Sequence, residues 1–265
     1  MTTCLQTFTP NKEDLTMLPT ERRRKIMERL EKNDFLKLKS LQQNLNISME
    51  TLRRDVQQLV NNNLVTKEYG GIRLKQEAHG ESLIEQRLEL NLTSKEAIAN
   101  KAMHEINNGD CIFLDSGSTT LQIAKQLSHH ENLTIITNSI PVMLQTLDQG
   151  HTVISIGGKI RKSEQSITSY DFLFNFDRLN IEKAFICCSG MDLDYGVTDY
   201  NLEEIETRRK ILSISRIKYL TADSSKMGKV VTAKICDFAE LDFIISDDNL
   251  SQNMDKNIIK HVNLI

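Results

Sequence analysis

Apolar residues recur at helical spacing in three short stretches near the start of the chain. Ile26, Met27 and Leu30 form one stripe, Leu38, Leu41 and Leu45 a second, and Leu52, Val56 and Leu59 a third, as in amphipathic helices. The first opens at Leu18-Pro19-Thr20, with Thr20 as candidate cap; the third opens at Ser48, a good N-cap after the turn Asn46-Ile47. Leu64 to Tyr69 and Ile72 to Leu74 are extended runs around Gly70-Gly71, which predicts a β-hairpin. Three helices and a hairpin over 18–75 are the plan of a winged helix-turn-helix. Residues 1–17 are polar and without apolar period, which predicts a disordered extension; Met17 is an alternative start to Met1. Residues 76–93 are charged, with Leu83, Ile84, Arg87 and Leu88 at helical spacing, and predict a linker helix.

From 94 to 265 the pattern changes. Ile98, Ala99, Ala102 and Ile106 mark a helix, and short apolar runs follow at 111–114, 133–136, 153–156, 184–187, 217–220 and 243–245. Continuous apolar runs separated by helical segments predict buried parallel strands, hence a Rossmann-like α/β domain.

Charge divides the chain in the same place. Between Leu18 and Ala78 stand 13 Lys/Arg against 8 Asp/Glu, whereas His79 to Ile265 carries 19 basic and 26 acidic residues. A basic module ahead of an acidic one implies that only the first part meets a polyanion. Five cysteines without a Cys-x-x-Cys argue against a disulfide framework or a structural zinc site. No apolar run approaches the ~18 residues of a membrane helix, and no secretory signal opens the chain. These features predict a cytoplasmic protein with no membrane contact, metal or cofactor.

On the third helix, with Leu52, Val56 and Leu59 turned inward, Ser48, Thr51 and Arg54 fall on the other side, where a helix enters a major groove. Arg binds guanine bidentately or grips phosphate, and Thr touches a base edge or a thymine methyl. Arg53 lies about 100° further round and is assigned to the backbone, while Lys67, Tyr69 and Arg73 on the wing are placed to contact phosphate or the minor groove. A solvated charged face is the ordinary role of an Arg pair; the winged-helix context and the local positive charge favour duplex DNA. Glu21 to Leu74, with Ser-x-x-Thr-Leu-Arg-Arg-Asp (48–55) and Tyr-Gly-Gly (69–71), resembles the DNA-binding domain of DeoR-type bacterial transcription regulators. The family usually has Ile at Leu52 and often His at Tyr69.

Polar and glycine residues gather where the predicted strands end, the place where open α/β sheets bind ligands. Asp115-Ser116-Gly117-Ser118-Thr119-Thr120 leads into a helix, so that backbone N–H groups, hydroxyls and the helix N-terminus could surround a phosphate. Thr137-Asn138-Ser139, Gly157-Gly158 (with Lys159, Arg161 and Lys162 nearby) and Asp223-Ser224-Ser225-Lys226 follow other strands. Singly, each is an ordinary cap or turn; four together point to a ligand site. It is neither a Walker loop nor a GxGxxG fingerprint.

Lys95 to Asp247 is similar to the same family's effector domain, through Asp-Ser-Gly-Ser-Thr-Thr (115–120), Thr-Asn-Ser (137–139), Gly-Gly (157–158), Ser-Gly-Met-Asp (189–192), Gly-Val-Thr-Asp (196–199) and Ala-Asp-Ser-Ser-Lys (222–226). The resemblance implies a fold similar to ribose-5-phosphate isomerase that senses a phosphorylated sugar. It assigns Ser116, Gly117, Ser118, Thr119 and Thr120 to the phosphate and Asp115, Asn138, Asp199, Glu203 and Lys226 to the sugar. It further implies a homodimer or homotetramer that represses carbohydrate genes from operator DNA. Two departures stand out: Arg208 where the family commonly has Lys, and Ser166-Ile167-Thr168-Ser169-Tyr170 where many members place a glycine.

Cys187-Cys188 is read as buried apolar packing and His129-His130 as surface. Glu203 and Glu204 keep one alternative open, a sugar-phosphate isomerase-like enzyme with an appended DNA-binding domain. A purely architectural DNA binder is the third reading.

Overall fold

The structure is a computed structural model and describes residues 17–31, 33, 35–61, 64–74, 82–169, 175–253 and 262–265. Residues 1–16 of the extension expected over 1–17, the start of the linker and Tyr170 lie outside the described residues. The chain divides into two compact units, Met1–His79 with Glu85–Asn91, and Gly80–Ile84 with Leu92–Ile265.

The first unit runs α1 (Pro19–Glu31), β1 (Phe35–Lys37), α2 (Leu38–Leu45), α3 (Met49–Asn61), β2 (Val65–Glu68) and β3 (Gly71–Leu74). The three apolar stripes meet in one core: Ile26, Met27, Leu30, Leu41, Leu45, Leu52, Val56 and Leu59 are all buried, with Leu64, Val65 and Ile72 from the hairpin. Helix α1 begins at Pro19, so Thr20 stands within the first turn and is not the cap. A proline opens a helix readily, because the N–H it lacks would have no intrahelical acceptor. Asn46 ends α2 in the left-handed conformation (φ 50°), which Asn tolerates. Ser48 caps α3, its Oγ accepting the Thr51 N–H at 3.1 Å. Gly70 turns the hairpin at φ 76°. Strand β1 is an addition to the expected plan: it pairs antiparallel with β3, giving the sheet order β1-β3-β2.

Within the linker, the described residues hold α4 (Ile84–Glu89), shorter than the expected span 76–93, and α5 begins directly after it (Leu92–Glu105). The second unit continues with β4 (Cys111–Leu114), α6 (Ser118–Gln126), β5 (Thr134–Thr137), α7 (Ile140–Thr146) and β6 (Thr152–Ser155). There follow β7 (Lys159–Arg161), β8 (Ser166–Thr168), β9 (Ile181–Ile186), β10 (Gly190–Asp192), β11 (Gly196–Asp199) and α8 (Leu202–Ile214). Last come β12 (Ser215–Thr221), β13 (Ala233–Cys236), β14 (Phe243–Ile245), α9 (Asp248–Asn253) and β15 (Asn263–Leu264).

Seven of these strands make one sheet in the order β15-β14-β12-β9-β4-β5-β6, every pairing parallel. The unit is therefore the α/β domain that its apolar runs predict. Ile112, Phe113, Ile135, Ala184, Phe185 and Ile244 are fully buried, as strands covered on both faces require. The order reverses at β4: β5 and β6 lie to one side, β9 and β12 to the other. The carboxyl ends of β4 and β9 thus flank a topological switch point, where a crevice opens in doubly wound sheets. Strands β10, β11 and β13 form a separate antiparallel sheet and β7–β8 a hairpin.

Candidate functional site

On α3, burial of Leu52, Asp55, Val56 and Leu59 leaves Arg53, Arg54, Gln57 and Gln58 exposed. The Arg54 side chain is 82% exposed, its guanidinium 3.4 Å from Glu50, a pair too solvated to hold it back from another partner. The Ser48 hydroxyl is occupied: besides capping the helix it lies 2.9 Å from Thr51 Oγ1. Tyr69 stands fully exposed at the hairpin turn. Lys67 Nζ donates to Gln57 Oε1 at 2.5 Å, tying the wing to the helix. Arg73 pairs with Glu68 at 2.9 Å and its guanidinium carbon lies 5.9 Å from the centroid of the Phe35 ring. The structure thus leaves Ser48, Arg53, Arg54, Lys67 and Tyr69 on the surface, with the Ser48 hydroxyl also capping the helix. Gln57, outward on the same helix, was not among the expected contacts; its i+3 spacing from Arg54 was the available signal.

In the second unit, the end of β4 and the loop after β9 are bound together by one carboxylate. Asp115 Oδ1 accepts the Ser116 N–H at 2.8 Å, and Oδ2 accepts the Cys187 N–H at 3.0 Å and Arg208 Nε at 2.5 Å. Arg208, delivered by α8, also donates through Nη1 to Asp199 at 2.9 Å and through Nη2 to Ser116 O at 3.4 Å, with Glu204 at 3.5 Å. Glu204 in turn accepts Arg161 Nη1 at 3.0 Å and Ser166 Oγ at 2.5 Å. All three carboxylates and Arg208 are buried. Burial alone would pull the guanidinium down, but Asp115, Asp199 and Glu204 hold its pKa well above the ordinary value. Burial pushes the Asp115 carboxyl up, against Arg208 and the Cys187 N–H.

The phosphate-binding turn expected at Ser116 to Thr120 is well defined and lies under cover, with Ser116 at 1%, Ser118 at 5%, Thr119 at 6% and Thr120 at 0% exposure. Thr120 Oγ1 donates to Asp115 O at 2.6 Å, bracing the turn. The first intrahelical N–H is that of Leu121, bonded to Gly117 O at 3.2 Å, so the preceding amides have no acceptor within α6. Asn138, at the end of β5, donates through Nδ2 to Ser116 Oγ at 3.3 Å, and its buried Oδ1 has no partner. A carbonyl oxygen left so is costly and asks for a donor.

Other expected residues lie further out. Gly157 and Gly158 are exposed after β6; a Cβ on Gly158 would sit 2.1 Å from Thr168 O, so its role is the close approach of β8. Glu203 is held by Lys159 at 2.9 Å and by Thr168 Oγ1 at 3.2 Å. Asp223 accepts the Ser225 N–H at 3.0 Å; burial opposes its ionisation, yet Lys226, the Ser225 hydrogen bonds and Lys95 hold it below the usual carboxylate range. In the sequence Arg208 stands out only as a departure from the family, and Glu204 only as a candidate general base. Their i,i+4 spacing placed them on one helix face but did not disclose that the face is inward. Cys187 and Cys188 are buried, as expected, and burial raises both thiols; His129 is exposed and His130 half-buried, its ring against Ile106 O. No His/Cys/Asp/Glu cluster fit for a metal occurs among the described residues, and none of their helices is long and apolar enough to cross a membrane.

Two family models match the chain: a DeoR-like helix-turn-helix domain over residues 22–78 and a DeoR C-terminal sensor domain over residues 90–248. An uncharacterised HTH-type transcriptional regulator of Escherichia coli is 31% identical over 92% of this chain and 96% of its own length. The HTH-type transcriptional regulator IolR of Bacillus subtilis is 32% identical over 80% of this chain and 85% of its own. The glycerol-3-phosphate regulon repressor of E. coli is 27% identical over 87% and 92%. Among solved structures, ribose 5-phosphate isomerase from Plasmodium falciparum matches with a TM-score of 0.37 at 18% identity, over 50% of this chain and 52% of that one.

Proposed function

Because this chain belongs to the DeoR family of helix-turn-helix transcriptional regulators, we propose that it is a ligand-controlled repressor whose grip on operator DNA is set by a phosphorylated sugar. Arg54 and Thr51 read base edges, while Arg53, Lys67, Tyr69 and Arg73 meet phosphate or the minor groove. The sugar phosphate sits at the β4/β9 switch point, its phosphate on the amides of Gly117 to Thr120 and a hydroxyl donating to Asn138. The protein works in the cytoplasm as a homodimer or homotetramer on repeated half-sites, with no cofactor.

The observation that carries the effector half is the unpartnered, buried Asn138 Oδ1 beside the N-terminal turn of α6. A relative named for a glycerol-3-phosphate regulon agrees with a phosphorylated ligand. A ligand seated on this buried turn would touch β4, α6 and the end of β5 together, and so could bias one arrangement of them over another. Coupling of ~1–3 kcal/mol would alter DNA affinity ~5–150-fold. The test is thermal unfolding of the full chain with a panel of sugar phosphates, each repeated on Asn138→Ala. We expect at least one compound to raise the midpoint of the wild type and not of the variant, and to weaken binding to duplexes selected from a random pool. A panel without any such compound refutes the effector half and leaves the DNA half standing.

A further inference from the structure

The recognition helix carries one buried charge. Asp55, on α3, is 3% exposed and follows the exposed contact candidates Arg53 and Arg54 and precedes Val56 of the core. It meets Arg22 of α1 through two bonds, Nε to Oδ2 at 2.7 Å and Nη2 to Oδ1 at 3.2 Å. The remaining Arg22 nitrogen donates to Met17 O at 2.7 Å. The Arg22 side chain is itself only 15% exposed, so a guanidinium fork is fixed in place on one helix and faces a carboxylate on the other.

We infer that Asp55 is a positioning residue for DNA recognition: held by Arg22, it sets the rotation and axial height of α3 and thereby aims Thr51 and Arg54. The inference rests on the reading of α3 as the helix that enters the groove. Its physical basis is a division of labour. The Leu52, Val56 and Leu59 stripe buries α3 against the core, but apolar burial is non-directional and resists small rotations and slides less sharply than a directional bond. A bidentate Arg–carboxylate pair is planar and directional, and it tolerates neither. Base contacts need placement within about 0.5 Å and 10–20°, the tolerance that such a fork supplies and an apolar stripe does not. Buried ion pairs often add little net stability, since desolvation offsets attraction, while fixing register is their best-attested use.

Aim and stability are therefore separable by experiment. In the full-length chain, Arg22→Met/Asp55→Leu removes both charges together and leaves neither orphaned; Asp55→Asn keeps the size and one acceptor. The probes are a duplex selected by the wild-type chain from a random pool and a random duplex of equal length. For the double variant we expect a thermal midpoint within a few degrees of wild type. Random-duplex affinity and its salt slope should be unchanged, and the selected-to-random affinity ratio should fall at least tenfold. Asp55→Asn should fall between. Retention of the ratio by the double variant overturns the inference. Equal losses on both duplexes, or unfolding of both variants, overturn it too, because the pair would then be supporting the fold and not its aim. A wild-type chain with no preferred duplex defeats the DNA reading itself and this inference with it.

Discussion

Arg208 shows how far one side chain can depart from the role its surroundings suggest. In a site expected to hold an anion, a cation would be taken for a ligand contact. Yet its nitrogens are spent on Asp115, Asp199, Glu204 and the Ser116 carbonyl, and it joins the β4 loop to the end of β11 and to α8. Arg208→Met should leave three buried carboxylates short of their shared cation and cost about 3–5 kcal/mol. Arg208→Lys should recover part of this, because an ammonium cannot reproduce a planar fork. Urea unfolding followed by circular dichroism suits a chain without tryptophan. Equal stability of wild type and Arg208→Met would show that the carboxylates do not need their cation. The sequence marked Arg208 only as a departure from the family; that it is enclosed by Asp115, Asp199 and Glu204 depends on long-range approaches that no local spacing discloses.

At the scale of elements, pattern sufficed wherever a segment was long or uniformly apolar. The stripes became α1, α2 and α3, and Cys111-Ile112-Phe113-Leu114 became β4 residue for residue. It failed for β1, because Phe35-Leu36-Lys37 is too short to show alternation and runs straight into α2. It failed also for β7, β8, β10, β11 and β13, all of three or four residues, whose pairing is decided by distant partners such as Thr198 opposite Lys234. End signals were mixed, since Ser48 caps its helix and Thr20 does not. Ser48→Ala should therefore destabilise the first turn of α3 by about 0.5–2 kcal/mol, with Ser48→Asn close to wild type. Hydrogen exchange at the amides of residues 50–52 would register the loss; unchanged protection there would mean that core packing alone holds the turn.

For the whole molecule, acidity acts through buried carboxylates. Asp223 has a native pKa below its unfolded value, so its contribution exists above ~3.9 and disappears as pH falls through the lower native value. The gap in thermal midpoint between wild type and Asp223→Asn should accordingly be widest near neutrality and close as pH falls below about 4. A gap independent of pH would locate the effect in packing. Strand order has a consequence of another kind. Strand β4 pairs with β9 through Phe113 and Ala184, so the middle of the large sheet stays open until the later half of the chain arrives, whereas the pairings of the winged helix close over short spans. Distant closure is slow closure. During synthesis, the emerging polypeptide can thus complete its helix-turn-helix module before the sensor domain has closed the middle of its sheet.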